Sequence, residues 1–206
     1  MKEKVYDSML VHVYSQPNHD GEIKLDIRGH MQVMAAAMLY KSGEARNFFI
    51  AGGNIFGDDK PSASVVYKRE LTKRGVPEEQ IHIRPEAVET GQELQAFVEE
   101  SQVQNWNNLG SIATRTHTNR IRFIHTLNGI SNVEIVPTEE VLKREPKLIK
   151  FLRRFRISDR EFVFWHREKL VMLLYKLTQF KYGSVERAKD ASSSPFVQKI
   201  KDYLDR

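Results

Sequence analysis

The stretch NFFIAGGN, at residues 47–54, is the clearest guide to the fold of this chain. Its apolar run, FFIA, has the length and composition of a short buried strand, and it leads directly into two glycines. A polar loop follows, and Pro61 and Ser62 then open a predicted helix. A buried strand that passes through a loop into a helix is typical of parallel sheets, because parallel neighbours need long crossover connections.

The same alternation extends in both directions from this stretch. Strand-like segments occur at residues 5–14, 81–83, 109–114 and 133–136, with a loop predicted at 17–21 and helix-like segments between the strands. On the first helix, Ile27, Met31, Met34 and Met38 share one face because they recur every three or four residues. We therefore expect an α/β fold, with a three-layer, Rossmann-like arrangement. Its mainly parallel five-stranded sheet carries helices on both faces.

Length and charge indicate how the chain is organised. Its 206 residues suffice for one α/β domain with an appendage. Residues 1–140 hold 15 Lys and Arg against 19 Asp and Glu, a net charge of −4, whereas residues 141–206 hold 17 against 8, a net charge of +9. Helical spacing continues after residue 140, but strand-like segments do not. The sequence predicts an α/β core at 1–140 and a basic helical C-terminal segment at 141–206 that packs on the core.

Composition excludes several functional classes. The chain has no cysteine, so disulfides, thiol catalysis and cysteine-ligated metal sites are excluded. No apolar run approaches the ~18 residues of a membrane span, and Asp7 interrupts the apolar start, so we expect a cytoplasmic location. The standard glycine-rich nucleotide fingerprints, the G-x-S-x-G turn and the H-E-x-x-H spacing are all absent, and no metal site is expected.

Ligands of open parallel sheets bind beyond the C-terminal ends of the strands, and the groups predicted there are candidates for binding. Gly52 and Gly53 follow the second strand, where exposed backbone N–H groups suit an anion, and Asn54 lies beside them. A tight turn that needs no ligand is an equally good interpretation. Thr90 ends the loop after the third strand and, with Glu93, matches a helix capping box.

The fourth strand leads into the residues best suited to catalysis or to binding an anion. Thr114, His117 and Arg120 lie where this strand meets its helix. Arg120 offers a planar donor fork for phosphate or carboxylate, and His117 can act as an acid, a base or a donor. These two are the candidate catalytic residues, with a simple helix cap as the alternative. Arg28, at the start of the first helix, faces the same cleft and is a candidate ligand-binding residue.

Five segments of the chain, taken in order, resemble the YdcF/SanA/ElyC-like domain family of bacteria. They are YDSMLVHVYS at residues 6–15, QVMAAAMLYKSGEARNFFIAGGN at 32–54, RGVPEEQIHIRPEAVET at 74–90, ATRTHTNRIRFIH at 113–125 and WHREKLVMLLYKL at 165–177. The resemblance implies a Rossmann-like fold with a polar cleft. One member is reported to bind S-adenosylmethionine, and others are linked to the cell envelope and peptidoglycan.

Carried over residue by residue, the resemblance implies one set of cleft residues and several replacements. The matched positions are Gly52, Gly53, Thr90, Thr114, His117 and Arg120. The replaced positions are Gln32, Ala63, Gln92, Glu93 and Thr116. Because much of the polar set is replaced, a shared catalytic activity does not follow from the likeness.

Two functions are open at this point. In the first, a YdcF-like protein binds a small anionic or nucleotide-like ligand, S-adenosylmethionine among the candidates, at the C-terminal ends of the strands. In the second, the cleft is inactive and the basic C-terminal helices contact nucleic acid, an anionic surface or a partner protein. The same helices could instead form a homodimer surface.

Overall fold

Five short strands form one parallel sheet in the computed structural model, which describes residues 5–17, 22–53, 60–87 and 90–149, together with residues 152, 166, 169 and 173. The elements are β1 (Tyr6–Val11), β2 (Ser15–Pro17), β3 (Ile23–Leu25), α1 (Ile27–Lys41), β4 (Ala45–Ala51), α2 (Ala63–Thr72), β5 (Ile81–Arg84), α3 (Thr90–Val103), β6 (Leu109–Ala113), α4 (Arg115–Leu127), β7 (Val133–Pro137) and α5 (Thr138–Leu142). A short 3₁₀ turn at Glu78–Gln80 precedes β5.

The order of the strands confirms the Rossmann-like prediction. The sheet runs β5-β4-β1-β6-β7, and each neighbouring pair is parallel. If only the five strands of this sheet are counted along the chain, their order across the sheet is third, second, first, fourth, fifth. The chain therefore reverses direction across the sheet between β1 and β6, and folds of this kind bind ligands in the crevice at that reversal.

Helices cover both faces of the sheet, as the alternation predicted. Side chains of a strand point to opposite faces in turn, and the strand register places Leu10 and Phe49 on the same face. On that face the ring of Phe49 lies 5.6 Å from the ring of Phe97 on α3, and α4 packs beside α3. The helices α1 and α2 pack against each other and against the opposite face.

The connection between β1 and α1 contains a small second sheet. The strands β2 and β3 pair antiparallel, with Ser15 opposite Leu25. The sequence predicted only a loop at residues 17–21, and residues 18–21 lie outside the described ranges. At the base of this hairpin the backbone N–H of Asp26 donates to the carbonyl of Tyr14 at 3.3 Å. The hairpin therefore begins and ends at the sheet edge where β1 terminates.

The chain divides into two compact units, residues 1–153 and 154–206. In the first unit, α5 follows β7 without an intervening loop and packs on α1, with Leu142 and Leu152 buried. Nearly all of the predicted helical segment beyond Ile149 lies outside the described residues. Among the residues that are described, no helix has the length and apolar character needed to cross a membrane.

Gly52 allows two elements to approach each other closely at the C-terminal edge. A Cβ atom at this position would lie 2.8 and 2.9 Å from the two methyl carbons of Val13 and 3.3 Å from the Cβ of Ala63. Contacts below 3.0 Å force a shift in the structure. The glycine is therefore required by the packing of the segment after β1 against the start of α2.

We expect Gly52→Ala to lower the free energy of unfolding by about 1–3 kcal/mol, the usual cost of overpacking a well-filled site. Val13→Ala in the same chain should recover much of the loss, because it removes both obstructing methyl groups. Urea unfolding of the parent, the two single variants and the double variant measures this coupling. Additive effects of the two substitutions would contradict the packing role.

Candidate functional site

Two of the predicted site residues, Arg28 and His117, contact the ring of Tyr14 just beyond β1, and a third, Arg120, contacts His117. The guanidinium carbon of Arg28 lies 4.1 Å from the centre of this ring. The ring of His117 meets it edge to face at 5.3 Å. Arg120 in turn places Nη2 2.8 Å from Nδ1 of His117. The structure therefore groups Arg28, His117 and Arg120 at the sheet edge where the strand order reverses.

Arg28 is held in place by Asp26. The Nε and Nη2 atoms of Arg28 donate to one oxygen of Asp26 at 2.9 and 2.7 Å. The other oxygen of Asp26 accepts from the backbone N–H of Gly29 at 2.9 Å and so caps α1. One carboxylate therefore starts the helix and fixes the plane of the guanidinium, which lies over Tyr14.

His117 is buried, with 1% of its surface exposed. Nη2 of Arg120 lies 2.8 Å from Nδ1 of His117 and 3.4 Å from Nε2, and arginine can only donate, so the nearer nitrogen, Nδ1, accepts. Thr114, also buried, occupies the N-cap position of α4. Its hydroxyl lies 3.3 Å from that of Thr116 and makes no capping bond. The helix therefore begins at Arg115, directly after the strand end that the sequence predicted.

The N-terminus of α4 already holds a carboxylate from the chain itself. Both oxygens of Glu139 accept from the backbone N–H of Arg115, at 3.0 and 2.9 Å, and Glu139 is buried. A carboxylate is stabilised there because helix N-termini carry partial positive charge. The Arg115 amide is therefore already bonded to a carboxylate of the chain itself.

The glycine pair is engaged in backbone bonding within the chain. The N–H of Gly52 donates to the carbonyl of Arg84 at 3.1 Å, and the N–H of Gly53 donates to that of Ala87 at 2.5 Å. Their carbonyls accept from Ser64 and Ala63 at the start of α2. The structure thus assigns both glycines to a turn that joins β4, β5 and α2. The neighbouring candidate, Asn54, lies outside the described residues.

Thr90 is the first residue of α3 and is half-buried. The carboxylate of Glu93, one turn into the helix, is directed away from a local cap. Its Oε2 lies 2.5 Å from Nδ1 of His12, and its Oε1 is 3.5 Å from the backbone N of Val13. Glu93 therefore connects α3 to the end of β1 instead of completing a capping box with Thr90.

Sequence reasoning missed the cluster that Glu93 completes. His12 follows β1 directly, and its Nε2 lies 2.9 Å from Oγ of Ser111 on β6. All three side chains are buried. The sequence placed His12 within a strand and treated Glu93 only as part of a cap. The signal that could have found them is their position, since one follows a strand and the other lies in the first turn of a helix at the same sheet edge.

Tyr67 and Gln32 join the hairpin to the sheet. The hydroxyl of Tyr67 accepts from the backbone N–H of Tyr14 at 2.6 Å and lies 3.3 Å from Oε1 of Gln32. The amide nitrogen of Gln32 donates to the carbonyl of Ile112 at 3.2 Å. Burial raises the pKa of Tyr67 well above its usual range, so the phenol keeps its proton and can donate. Gln32 and Ala63, two positions that depart from the family pattern, are both buried.

His125, on α4, is a further buried titratable group of this layer. Its side chain is 6% exposed, and in the part of the chain that is described its Nε2 has no hydrogen-bond partner. Burial, together with repulsion from His12, lowers the pKa of His125 from 6.5 to about 4. Within the same described ranges, no group of three or more His, Asp or Glu side chains is placed to hold a metal ion.

The lowered pKa of His125 makes a prediction about stability. The unfolded chain takes up a proton near pH 6.5, which the folded protein resists until about pH 4. The contribution of the neutral His125 side chain to the free energy of unfolding is therefore complete above pH 6.5 and is lost as the pH falls toward 4. We expect His125→Leu to reduce the fall in unfolding free energy on acidification, measured by urea unfolding across this range. His30→Leu, at an exposed position on α1, is the control. An unchanged pH dependence in His125→Leu would contradict the assignment.

Comparisons of this chain with protein-family models, with curated proteins and with solved structures give no match.

Proposed function

We propose that this protein binds a small anionic or nucleotide-like ligand at the C-terminal edge of its sheet, where the strand order reverses between β1 and β6. The resemblance to the YdcF/SanA/ElyC-like family adds S-adenosylmethionine to the ligands worth testing. The fold supports the location of the site, because open α/β sheets bind ligands at this reversal.

The observation that carries the proposal is a chain of contacts that joins two arginines: Arg28 lies over Tyr14, Tyr14 packs against His117, and His117 bonds to Arg120. Arg28 comes from the first turn of α1 and Arg120 from the second turn of α4, yet both lie close to the same aromatic cluster. Arginine side chains recognise phosphate and carboxylate through paired N–H donors. The ring of Tyr14 is buried and lies under the Arg28 guanidinium, so it positions the arginine rather than receiving the ligand. Such a set suits the anionic group of a ligand.

The two arginines are placed differently with respect to a ligand. Arg28 pairs with Asp26, with 2.7 Å between Nη2 and the carboxylate, and this pairing fixes its guanidinium over Tyr14. Arg120 is half-buried, and a charge interacts more strongly where water is partly excluded. We therefore test the electrostatic contact with the ligand at Arg120 and assign a positioning role to Arg28.

Binding can be tested by isothermal titration with S-adenosylmethionine, ADP and inorganic phosphate as separate probes. We expect at least one probe to bind the parent protein. We expect Arg120→Gln to weaken that binding by about tenfold or more, because a hydrogen bond to a charged group contributes ~1.5–3 kcal/mol. Arg122→Gln is the matched control, since Arg122 is exposed on the same helix. It should bind the probe as the parent does.

Two results would contradict the proposal. One is the absence of binding by all three probes to the folded parent protein. The other is an equal loss in Arg120→Gln and Arg122→Gln, which would indicate a general effect of surface charge rather than a site. Circular dichroism of each variant checks that the fold is retained.

A further inference from the structure

The buried side chains of Glu93, His12 and Ser111 are joined by two successive hydrogen bonds, and the ligand proposal does not use them. Glu93 Oε2 lies 2.5 Å from Nδ1 of His12, and Nε2 of the same ring lies 2.9 Å from Ser111 Oγ. The three groups come from the start of α3, the end of β1 and the strand β6. A carboxylate, an imidazole and a hydroxyl connected in this order are the components of a serine nucleophile with its base.

The donors and acceptors fit one assignment of protons. An ionised carboxylate only accepts hydrogen bonds, so Nδ1 of His12 carries the proton directed at Glu93. Nε2 then presents its lone pair to Ser111, whose hydroxyl donates. In this state His12 is placed to remove the proton of Ser111 Oγ, and Glu93 is placed to stabilise the imidazolium that results.

We propose that Ser111 is the nucleophile of an acyl-transfer site that acts on small carboxylic esters, with His12 as its base and Glu93 as the residue that orients the base. The site lacks the G-x-S-x-G turn, because Ser111 lies within a strand. Its geometry arises instead from the reversal of strand order, which places β6 next to β1. Neither Arg28 nor Arg120 takes part, so this proposal is independent of the ligand proposal.

The reaction balances with water as the second reactant. Ser111 Oγ bonds to the ester carbonyl carbon while its proton moves to Nε2 of His12. The bond from that carbon to the alcohol oxygen then breaks, and the departing oxygen takes the proton from His12. Water activated by the same base next attacks the acyl-Ser111 ester. This step releases the carboxylic acid and returns the proton to Ser111.

A neighbouring serine provides an internal comparison. Ser8 lies on β1, and the strand register places it on the same face of the sheet as Ser111. Both side chains are 0% exposed. Ser8 Oγ, however, has no hydrogen-bond partner among the described residues. We call the hydrogen-bonded set of Glu93, His12 and Ser111 the relay. If the relay determines the reactivity of a serine, Ser111 reacts with a serine-directed reagent and Ser8 does not.

Access to Ser111 requires movement at the edge of the sheet. The ring of His117, in the first turn of α4, packs edge to face against the ring of His12 at 5.4 Å. Ser111 is two positions before the end of β6, so displacement of this turn exposes the relay from the C-terminal edge. A reagent used to probe it therefore has to be small.

The test uses the full chain and diisopropyl fluorophosphate. Its phosphorus bonds to the serine oxygen, fluoride leaves, and the proton passes to the histidine. Mass spectrometry of the intact protein and of its peptides follows the rate and the position of labelling. We expect labelling of the parent and of Ser8→Ala at Ser111, at equal rates. We expect the labelling rate of His12→Gln to be lower by at least about 100-fold, since a general base contributes ~10²–10⁴ in rate.

Glu93→Gln tests the third member, and it should also slow labelling while Arg122→Gln leaves the rate unchanged. Circular dichroism shows whether each variant folds. If a relay variant does not fold, the labelling of Ser111 in the parent protein and in Ser8→Ala still tests the proposal. No adduct at Ser111 in the folded parent overturns the proposal. Equal labelling of Ser8 and Ser111, or labelling of folded His12→Gln at the parental rate, overturns it as well.

Discussion

The buried contact between Glu93 and His12 is the constraint on which the C-terminal edge of the sheet depends. A carboxylate removed from water is costly unless charged or hydrogen-bonding partners compensate for it. Here Oε2 meets His12, and Ser111 satisfies the opposite nitrogen of the same ring. Removing one member leaves a buried polar group without its partner, which is far more costly than replacing the whole set by apolar groups. The contact therefore fixes α3 to β1 and β6 in a single relative position.

The hairpin between β1 and α1 explains how this fold does without a glycine fingerprint. In Rossmann folds a glycine-rich turn connects the first strand and helix and approaches a pyrophosphate closely. In this chain the same connection brings Tyr14 back across the start of α1. Close approach is still required, but between parts of the protein: a Cβ on Gly29 would lie 2.4 Å from the Tyr14 carbonyl and 2.7 Å from the Tyr67 hydroxyl. Glycine at this position of α1 therefore allows the close approach of the hairpin.

Local capping patterns were overridden where a distant residue provided a hydrogen-bond partner for a buried carboxylate. Thr90 and Glu93 match a capping box, yet the Glu93 carboxylate bonds to a histidine 81 residues away in the chain. The N-terminus of α4 is satisfied by Glu139, 24 residues further along, although threonines suitable for capping lie beside it. In both cases a buried carboxylate gains a partner that a local cap does not provide. These exceptions gather at the sheet edge that we propose as the site.

The α/β class, a mainly parallel five-stranded sheet and the edge at which polar groups collect could be predicted from the sequence. These follow from local patterns: short apolar strands, helical spacing and long crossovers. The same patterns made Arg28, His117 and Arg120 candidates, because each lies near the start of a helix after a strand. The folded structure was needed to show that Arg28 and His117 both contact Tyr14, that Gly52 and Gly53 bond within the chain, and that His12 meets Ser111 from 99 residues away. Such contacts depend on the order in which strands pair across the sheet, and no local pattern of residues encodes that order.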